Sequence, residues 1–158
     1  MPLWQMFVPE GAYAAEDKKA LGERITDIYT QLVQLPRFYT TVFFHEVKPE
    51  SFIVGGEPRN QFVQIAIVHA ARTAEESAER LGITLTEVQN TFLAMAHEAL
   101  RPYVKDRGYE WELHVEAVER ELWNIDGMAP PPQWSEVERR WARDNKSSPY
   151  VAADLNPV

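Results

Sequence analysis

The order of the predicted strands and helices constrains the fold of this chain more than any other feature of its sequence. The order strand, helix, strand occurs twice, first at residues 3–8, 14–33 and 39–47, and again at residues 62–71, 73–103 and 109–116. The two halves share no visible sequence identity. The repeat predicts an α/β protein built from a pseudo-twofold pair of β-α-β units.

Three short motifs mark predicted helix starts. A hydroxyl side chain precedes a glutamate by three positions at Thr73–Glu76, Thr84–Glu87 and Ser135–Glu138. In a capping box, the hydroxyl and the glutamate satisfy N–H groups that are free at a helix start. The second half is therefore predicted to carry two helices, and a last short helix is predicted to run to about Ala142.

The C-terminal part of the chain shows little regular pattern, although it carries Trp123, Trp134 and Trp141. We expect these rings to pack against a neighbouring subunit, because large aromatic side chains are usually buried. The chain of 158 residues fits a single domain. We place it at residues 2–145, with halves at 2–58 and 59–128 and a C-terminal arm, and expect a flexible polar tail at 146–158.

Composition excludes several classes of function. The chain has no cysteine, which excludes disulfides, zinc ribbons and thiolate catalysis. Its 16 Lys and Arg against 24 Asp and Glu give a net charge of −8, which disfavours nucleic acid and anionic membranes as partners. No stretch reaches the roughly 18 apolar residues of a membrane span, and the first residues do not resemble a signal peptide. We therefore expect a cytoplasmic protein that binds neither nucleic acid nor membrane.

Pro2 is the strongest candidate for chemistry. Removal of Met1 would leave a secondary amine at the start of the first strand. An α-amino group has a pKa of about 7.7–8.0, and burial beside a cation lowers that pKa, so the amine would be a general base at pH 7. The alternative is that Pro2 merely begins an edge strand, where proline is tolerated.

Arg72 directly follows the long apolar strand that ends in Val68-His69-Ala70-Ala71. Open α/β sheets tend to bind ligands at the carboxyl ends of strands, and a planar guanidinium suits a carboxylate. The sequence leaves open the alternative of a solvated arginine beside Glu75 and Glu76.

The other titratable residues form no recognisable site. The histidines lack metal-ligand spacing, and each fits a polar or core role better: His45, His69, His97 and His114. The acidic run between Glu110 and Glu121 fits a solvated strand face better than a catalytic one. Gly55-Gly56 has no phosphate-binding spacing. We expect neither a metal nor a cofactor.

Several short stretches follow one another in a characteristic order: Met-Pro-Leu-Trp at the start, 16–18, 25–29, 54–58, 69–72, 104–111, and 121–127 followed by Pro130-Pro131-Pro132. In this order they resemble the tautomerase superfamily. More closely, the chain is similar to proteins related to cis-3-chloroacrylic acid dehalogenase, and most of all to fungal homologues. The similarity covers most of residues 2–145.

The resemblance implies a four-stranded mixed sheet with helices on one face, assembled as a homotrimer. It implies a tautomerase-type isomerase whose amino-terminal proline acts as general acid and base on small 2-oxo, enol or unsaturated carboxylic acids. The implied site has catalytic Pro2, Tyr29 and Asn124, and substrate-binding Arg72, His69 and Arg120.

This sequence departs from the dehalogenase pattern at positions that matter for water activation. Tyr29 stands where the dehalogenase has a histidine, and Leu113 and Asn124 stand near its water-activating tyrosine and glutamate. Neither Leu113 nor Asn124 can deprotonate water, so we expect tautomerisation rather than efficient dehalogenation. The alternatives are a hydratase or dehalogenase of 3-haloacrylate-like acids, and a non-catalytic trimeric binding protein that uses Arg59, Arg120 and the tryptophans for recognition.

Overall fold

A computed structural model describes residues 1–155. The first half contains strand β1 (Pro2–Pro9), helix α1 (Ala15–Val33) and strand β2 (Thr41–Val47), followed by a small hairpin of β3 (Ile53–Val54) and β4 (Glu57–Pro58). The second half contains β5 (Phe62–His69), α2 (Ala74–Leu81), α3 (Leu85–Leu100) and β6 (Glu110–Ala117). The C-terminal arm, residues 118–155, adds helix α4 (Glu136–Asp144). No helix within residues 1–155 has the length and apolar character needed to cross a membrane.

The main sheet has the strand order β2-β1-β5-β6. Within each half the two strands are parallel, and the halves join through the antiparallel pair β1 and β5. This arrangement confirms the predicted four-stranded mixed sheet of two β-α-β units. It also places the first residue of β1, Pro2, opposite the last residue of β5, His69.

Local sequence signals account for the helix boundaries. Both predicted capping boxes of the second half are formed, at Thr73 with Glu76 and at Thr84 with Glu87. Helix α1 ends where Gln34 adopts a left-handed conformation with φ of 54°. Because β1 and β2 are parallel, α1 runs back across the sheet between them, and its carboxyl end lies next to the start of β1 and the end of β5.

The hydrophobic core lies between the sheet and the helices. Trp4, Met6 and Val8 alternate along β1 with half-buried residues and are fully buried, and β5 shows the same alternation. The almost continuous apolar run of residues 62–71 is typical of a strand that is buried on both faces. That interpretation is wrong for β5, because helices cover only one face of the sheet and the side chains on the opposite face stay half-buried within the single chain.

The start of β2 also differs from the prediction. Residues 37–39 form one turn of 3₁₀-helix, and the strand begins at Thr41 rather than Tyr39. Tyr39 is fully buried, and its ring meets those of Phe38, Trp123 and Trp141 edge-on. Burial of one aromatic side chain therefore overrides its strand propensity.

Two of the three tryptophans of the C-terminal arm are buried within their own chain, so the expected packing of these two rings against another subunit was wrong. Trp123 and Trp141 are 6% and 0% exposed and belong to the main core. Trp134 lies between the guanidinium groups of Arg72 and Arg80, at 4.3 and 3.9 Å from the ring centroid. The arm is thus an integral part of the folded domain.

The polar stretch from residue 146, which we expected to be a flexible tail, makes specific hydrogen bonds in its described part. Trp141 Nε1 donates to the Ser148 carbonyl at 2.9 Å, and the Tyr150 hydroxyl donates to the Ala129 carbonyl at 2.8 Å. Residues 156–158 of the expected tail lie outside the described residues. The first bond holds Ser148 against α4, and the second holds Tyr150 against Ala129.

Replacing Trp141 by alanine should lower the free energy of unfolding by about 3–5 kcal/mol, because the change leaves a cavity at the contact between arm and core. Urea denaturation measures this difference. Arg143→Ala, on an exposed position of the same helix, is the matched control and should change stability by less than about 0.5 kcal/mol. A loss below about 1 kcal/mol in Trp141→Ala would mean that the arm is dispensable for folding.

Candidate active site

A cleft of about 550 Å³ opens at the end of the sheet where β1 begins and β5 ends. It is bounded by the carboxyl end of α1, by α2 and α3, and by the edge strand β6. Pro2, Tyr29 and His69 line this cleft together. Arg72 also contributes to the wall, so the fold brings together four of the six site residues that were predicted from the sequence.

A chain of hydrogen bonds fixes the polar side chains beside Pro2. The indole Nε1 of Trp4 donates to the Tyr29 hydroxyl at 2.8 Å, and that hydroxyl lies 2.8 Å from His69 Nε2. With His69 Nε2 unprotonated, the Tyr29 hydroxyl donates to it, and with Nε2 protonated, the hydroxyl accepts from it. Tyr29 and His69 are therefore oriented by each other and by a buried tryptophan.

Burial keeps both members of this pair uncharged. It raises the pKa of Tyr29 far above its ordinary value of 10.0, against a weaker lowering by the Trp4 hydrogen bond. Burial first, and the nearby amino terminus second, lower the pKa of His69 from 6.5 to about 4. At neutral pH the Tyr29–His69 pair next to Pro2 is therefore polar but uncharged.

Arg72 is buried with its hydrogen-bond donors already engaged. Nη2 pairs with Glu138 Oε2 at 2.8 Å, Nε donates to Gln133 Oε1 at 3.2 Å, and Nη1 donates to the carbonyl of Val33. The solvated arginine considered from the sequence is wrong, because the side chain is only 2% exposed. The guanidinium ties the C-terminal arm to the end of α1, and all three of these donor atoms are engaged with protein acceptors.

The other two expected site residues lie away from the cleft lining. Arg120 donates to the carbonyls of Ala71 and Pro131 and lies 5.7 Å from the ring centroid of Trp123. Asn124 is exposed on the arm and does not line the cleft. Arg120 nevertheless lies near enough to the start of the chain to lower the pKa of the Met1 amine.

The amine of Met1 is buried near two arginines. Its pKa falls from 8.0 to about 4, first because burial disfavours the charged form and then because Arg120 and Arg72 repel it. Glu138 acts in the opposite direction and does not offset these effects. The end of the sheet at which the chain starts therefore strongly favours a neutral amine.

Two features of the site were missed by sequence reasoning. The support of Tyr29 by Trp4 depends on residues 25 positions apart, and no local pattern announces it. Glu138 was interpreted as part of a capping box, and Ser135 does accept from the Glu138 amide. The carboxylate, however, turns to Arg72 and to the Trp134 amide instead. Within residues 1–155, no cluster of His, Asp and Glu side chains is arranged to hold a metal ion.

Comparison with known proteins adds relatives of similar length. Native RhCC from Rhodococcus jostii RHA1 has 39% sequence identity over 94% of this chain and 99% of its own, with a TM-score of 0.86. A probable enzyme from the thermophilic fungus Aspergillus fumigatus has 33% identity over 95% of this chain and 98% of its own, with a TM-score of 0.80.

A more distant structure shares the fold alone. N1, a member of the cis-3-chloroacrylic acid dehalogenase family, has 16% identity over 88% of this chain and 89% of its own, with a TM-score of 0.61. Among curated proteins, none matches this chain.

The family model Tautomerase_3, described as putative oxalocrotonate tautomerase enzyme, matches residues 1–146. This range covers both β-α-β halves and reaches past α4, so it includes the cleft and the arm that closes one side of the domain. With the observed sheet and the relatives of similar length, the match establishes that the chain belongs to this family of the tautomerase superfamily.

Proposed function

We propose that the protein, once Met1 is removed, is a tautomerase in which the Pro2 amine moves a proton on small 2-oxo or enol carboxylic acids. The observation that carries this proposal is the position of Pro2, buried at the start of β1 and lining the cleft beside the uncharged Tyr29–His69 pair. We place the protein in the branch related to cis-3-chloroacrylic acid dehalogenase, because two fused β-α-β halves occur in both.

The electrostatics support a proline amine that is neutral at pH 7. The ordinary pKa of an α-amino group is about 7.7–8.0. The Met1 amine, one residue upstream, has its pKa lowered to about 4 by burial and by Arg120 and Arg72. A Pro2 amine would start one residue further into the same end of the sheet, where burial and the two cations act in the same direction.

Proton transfer then needs no group from outside the chain. The neutral Pro2 nitrogen takes the proton of the enol hydroxyl as the carbonyl forms, and returns that proton to the substrate carbon as the carbon–carbon double bond is lost. No other atom enters or leaves the substrate. His69 and Tyr29, held by Trp4, shape the cleft and hydrogen-bond the substrate without adding charge. This chemistry requires no cofactor.

The alternatives considered from the sequence have less support in the geometry. Leu113 lines the cleft as an apolar side chain and Asn124 is exposed outside it, so neither is a base for water in a hydratase or dehalogenase. A recognition surface formed by Arg120 and the tryptophans is disfavoured, because Arg120 bonds two carbonyls and Trp123 and Trp141 are buried.

We further propose that the protein is a homotrimer. The face of the sheet away from the helices carries apolar side chains such as Leu3, Phe7 and Phe62, which remain only half-buried in one chain, and Phe43 is 52% exposed. Both edge strands, β2 and β6, are also unpaired on one side within residues 1–155. Symmetric assembly covers such surfaces.

Pro2→Ala should lose most of the tautomerase activity toward a phenylpyruvate-type enol, because the tuned secondary amine is replaced. Wild-type protein that retains Met1 should be inactive, since Pro2 is then part of an amide. Enol absorbance measures turnover, and intact mass establishes which chain start is present. Unchanged kcat/KM in both preparations would rule out the amine as the base.

The pH dependence of stability should report the buried neutral state of His69. Its pKa is about 4 in the folded chain and 6.5 when unperturbed, so between these values the unfolded chain binds more protons. The free energy of unfolding should therefore fall as the pH drops from 6.5 towards 4, by up to about 1.4 kcal/mol per pH unit. Urea titrations of His69→Gln should show a flatter dependence, whereas His97→Gln, at an exposed site, should match the wild type. Parallel pH curves for His69→Gln and wild type would contradict this assignment.

Light scattering should give three times the chain mass if the open sheet face is the trimer interface. Phe43→Glu should shift the protein towards monomer, because the change puts a charge into the covered surface. Val151→Glu is the control, since Val151 is 64% exposed on the arm rather than on the sheet. A wild-type monomer mass that does not change with concentration would overturn the trimer.

A further inference from the structure

The hydrogen bonds that link Trp4, Tyr29 and His69 also constrain which nitrogen of the His69 ring carries the proton. An indole N–H can only donate, so the Tyr29 oxygen accepts from Trp4 Nε1, at 2.8 Å. A phenol oxygen has one favourable acceptor position in the plane of its ring, because its second lone pair is delocalised into the ring. Since Trp4 occupies that position, the Tyr29 proton is directed towards His69 Nε2, 2.8 Å away.

His69 then has its free N–H on the other side of the ring. Burial lowers the pKa of this imidazole to about 4, so the ring is neutral at pH 7 and carries a single proton. When Nε2 accepts from Tyr29, that proton lies on Nδ1. Nδ1 has no hydrogen-bond partner within residues 1–155 and keeps accessible surface, and the ring lines the cleft. Nδ1 is therefore the nitrogen that a bound ligand would meet.

Ring contacts hold His69 in this orientation. Its ring meets that of Tyr29 edge-on with centroids 5.5 Å apart, and that of Phe92 edge-on at 5.2 Å. Phe92 also packs against Tyr29 and Trp4, at 6.0 and 6.4 Å. Turning the imidazole over would break the Tyr29 hydrogen bond and disturb these contacts. The Nδ1–H group is thus preorganised, which is what makes a hydrogen-bond donor effective in catalysis.

The sheet register places this donor beside the start of the chain. Pro2 and His69 are directly opposite in the antiparallel pair of β1 and β5. Opposite residues in such a pair have Cα atoms about 4.5–5.5 Å apart, and their side chains project from the same face. Both residues line the cleft. A substrate whose enol hydroxyl reaches the Pro2 nitrogen would therefore have its oxygen next to His69.

We propose that His69 is a catalytic hydrogen-bond donor whose neutral Nδ1–H stabilises the charge that develops on the substrate oxygen, with Trp4 and Tyr29 as the positioning residues that set its tautomer. The assignment rests on the proposed function for the role of Pro2. His69 neither gains nor loses a proton: Pro2 takes the enol proton and returns it to carbon, while the hydrogen bond from Nδ1 to the oxygen strengthens. A neutral donor suits this step, because an imidazolium would repel the Pro2 ammonium that forms during the transfer.

Nitrogen-15 NMR of the full-length protein with labelled histidine tests the tautomer directly. At pH 7 the His69 signals, identified by their loss in His69→Gln, should show a protonated Nδ1 and an unprotonated Nε2. A proton on Nε2 would overturn the proposal. The measurement needs no turnover, so its result does not depend on whether Pro2 is the base.

Two amide variants test contact between Nδ1 and the substrate in protein that starts at Pro2. The amide nitrogen of an asparagine can occupy nearly the position of histidine Nδ1, and that of a glutamine nearly the position of Nε2. His69→Gln should lower kcat toward a phenylpyruvate-type enol about 100-fold, as for loss of an oxyanion donor, and His69→Asn only about tenfold. KM should change little, because the bond matters in the transition state. Equal losses of kcat in the two variants would overturn the contact.

Trp4→Phe tests the positioning role, because it keeps an aromatic ring in the core and removes only the N–H donor. Its kcat should fall about fivefold with KM little changed, in line with the loss of one hydrogen bond. Trp111→Phe is the matched control and should retain the wild-type kcat, since Trp111 packs against His97 and does not line the cleft. An unchanged kcat in Trp4→Phe would overturn the positioning role. Full activity in Pro2→Ala would instead remove the proposed function and leave the NMR result standing.

Discussion

The structure around the site depends on the buried ion pair between Arg72 and Glu138. Removing two charges from water costs several kcal/mol per ion, and their attraction repays that cost only with good geometry and further hydrogen bonds. Here Arg72 also donates to Val33 and Gln133, and Glu138 also accepts from the Trp134 amide. The pair joins the end of α1, the end of β5 and the C-terminal arm at the point where the chain starts.

This junction places the candidate catalytic residues and the packing of the C-terminal arm at the same end of the sheet. The antiparallel pairing of β1 with β5 sets Pro2 against His69, and Trp4, two residues further along β1, holds Tyr29. A neutral polar pair thus lies on one side of Pro2. Arg72, Arg120 and the C-terminal arm lie on the other side of Pro2. A proline amine between them would be desolvated and close to positive charge, and both conditions favour its neutral form.

Features governed by neighbouring residues were predictable from the sequence, and features governed by distant ones were not. The capping boxes at Thr73 and Thr84 are local and form as predicted. The place of Pro2 at the start of the first strand was also predictable, whereas the pairing that sets it opposite His69 was not. Arg72 shows the limit: its position after β5 was correct, but its partner lies 66 residues away.

Ser135 and Glu138 show the same limit within one motif. The pattern correctly marked the start of α4, because the serine hydroxyl accepts from the Glu138 amide. It gave the wrong partner for the glutamate side chain, because Glu138 accepts from the buried Arg72 guanidinium and the Trp134 amide, while the Ser135 N–H donates to the Pro132 carbonyl. Similarly, the tryptophans were correctly identified as buried rings but were assigned to the wrong chain, since sequence alone does not show where an arm returns.

The burial of Met1 sets a time limit on its removal. Met1 is half-buried against the core near Glu138 and two arginines, and α4 begins only at Glu136. At ribosomal rates of about 5–20 residues per second, a nascent chain exposes its first residue for roughly 7–27 seconds before α4 has been synthesised. A processing enzyme that acts in this window meets an open chain start, whereas one that arrives later meets a folded domain in which the methionine is half-buried. The speed of translation relative to that of processing would then decide what fraction of the molecules begins with a free proline.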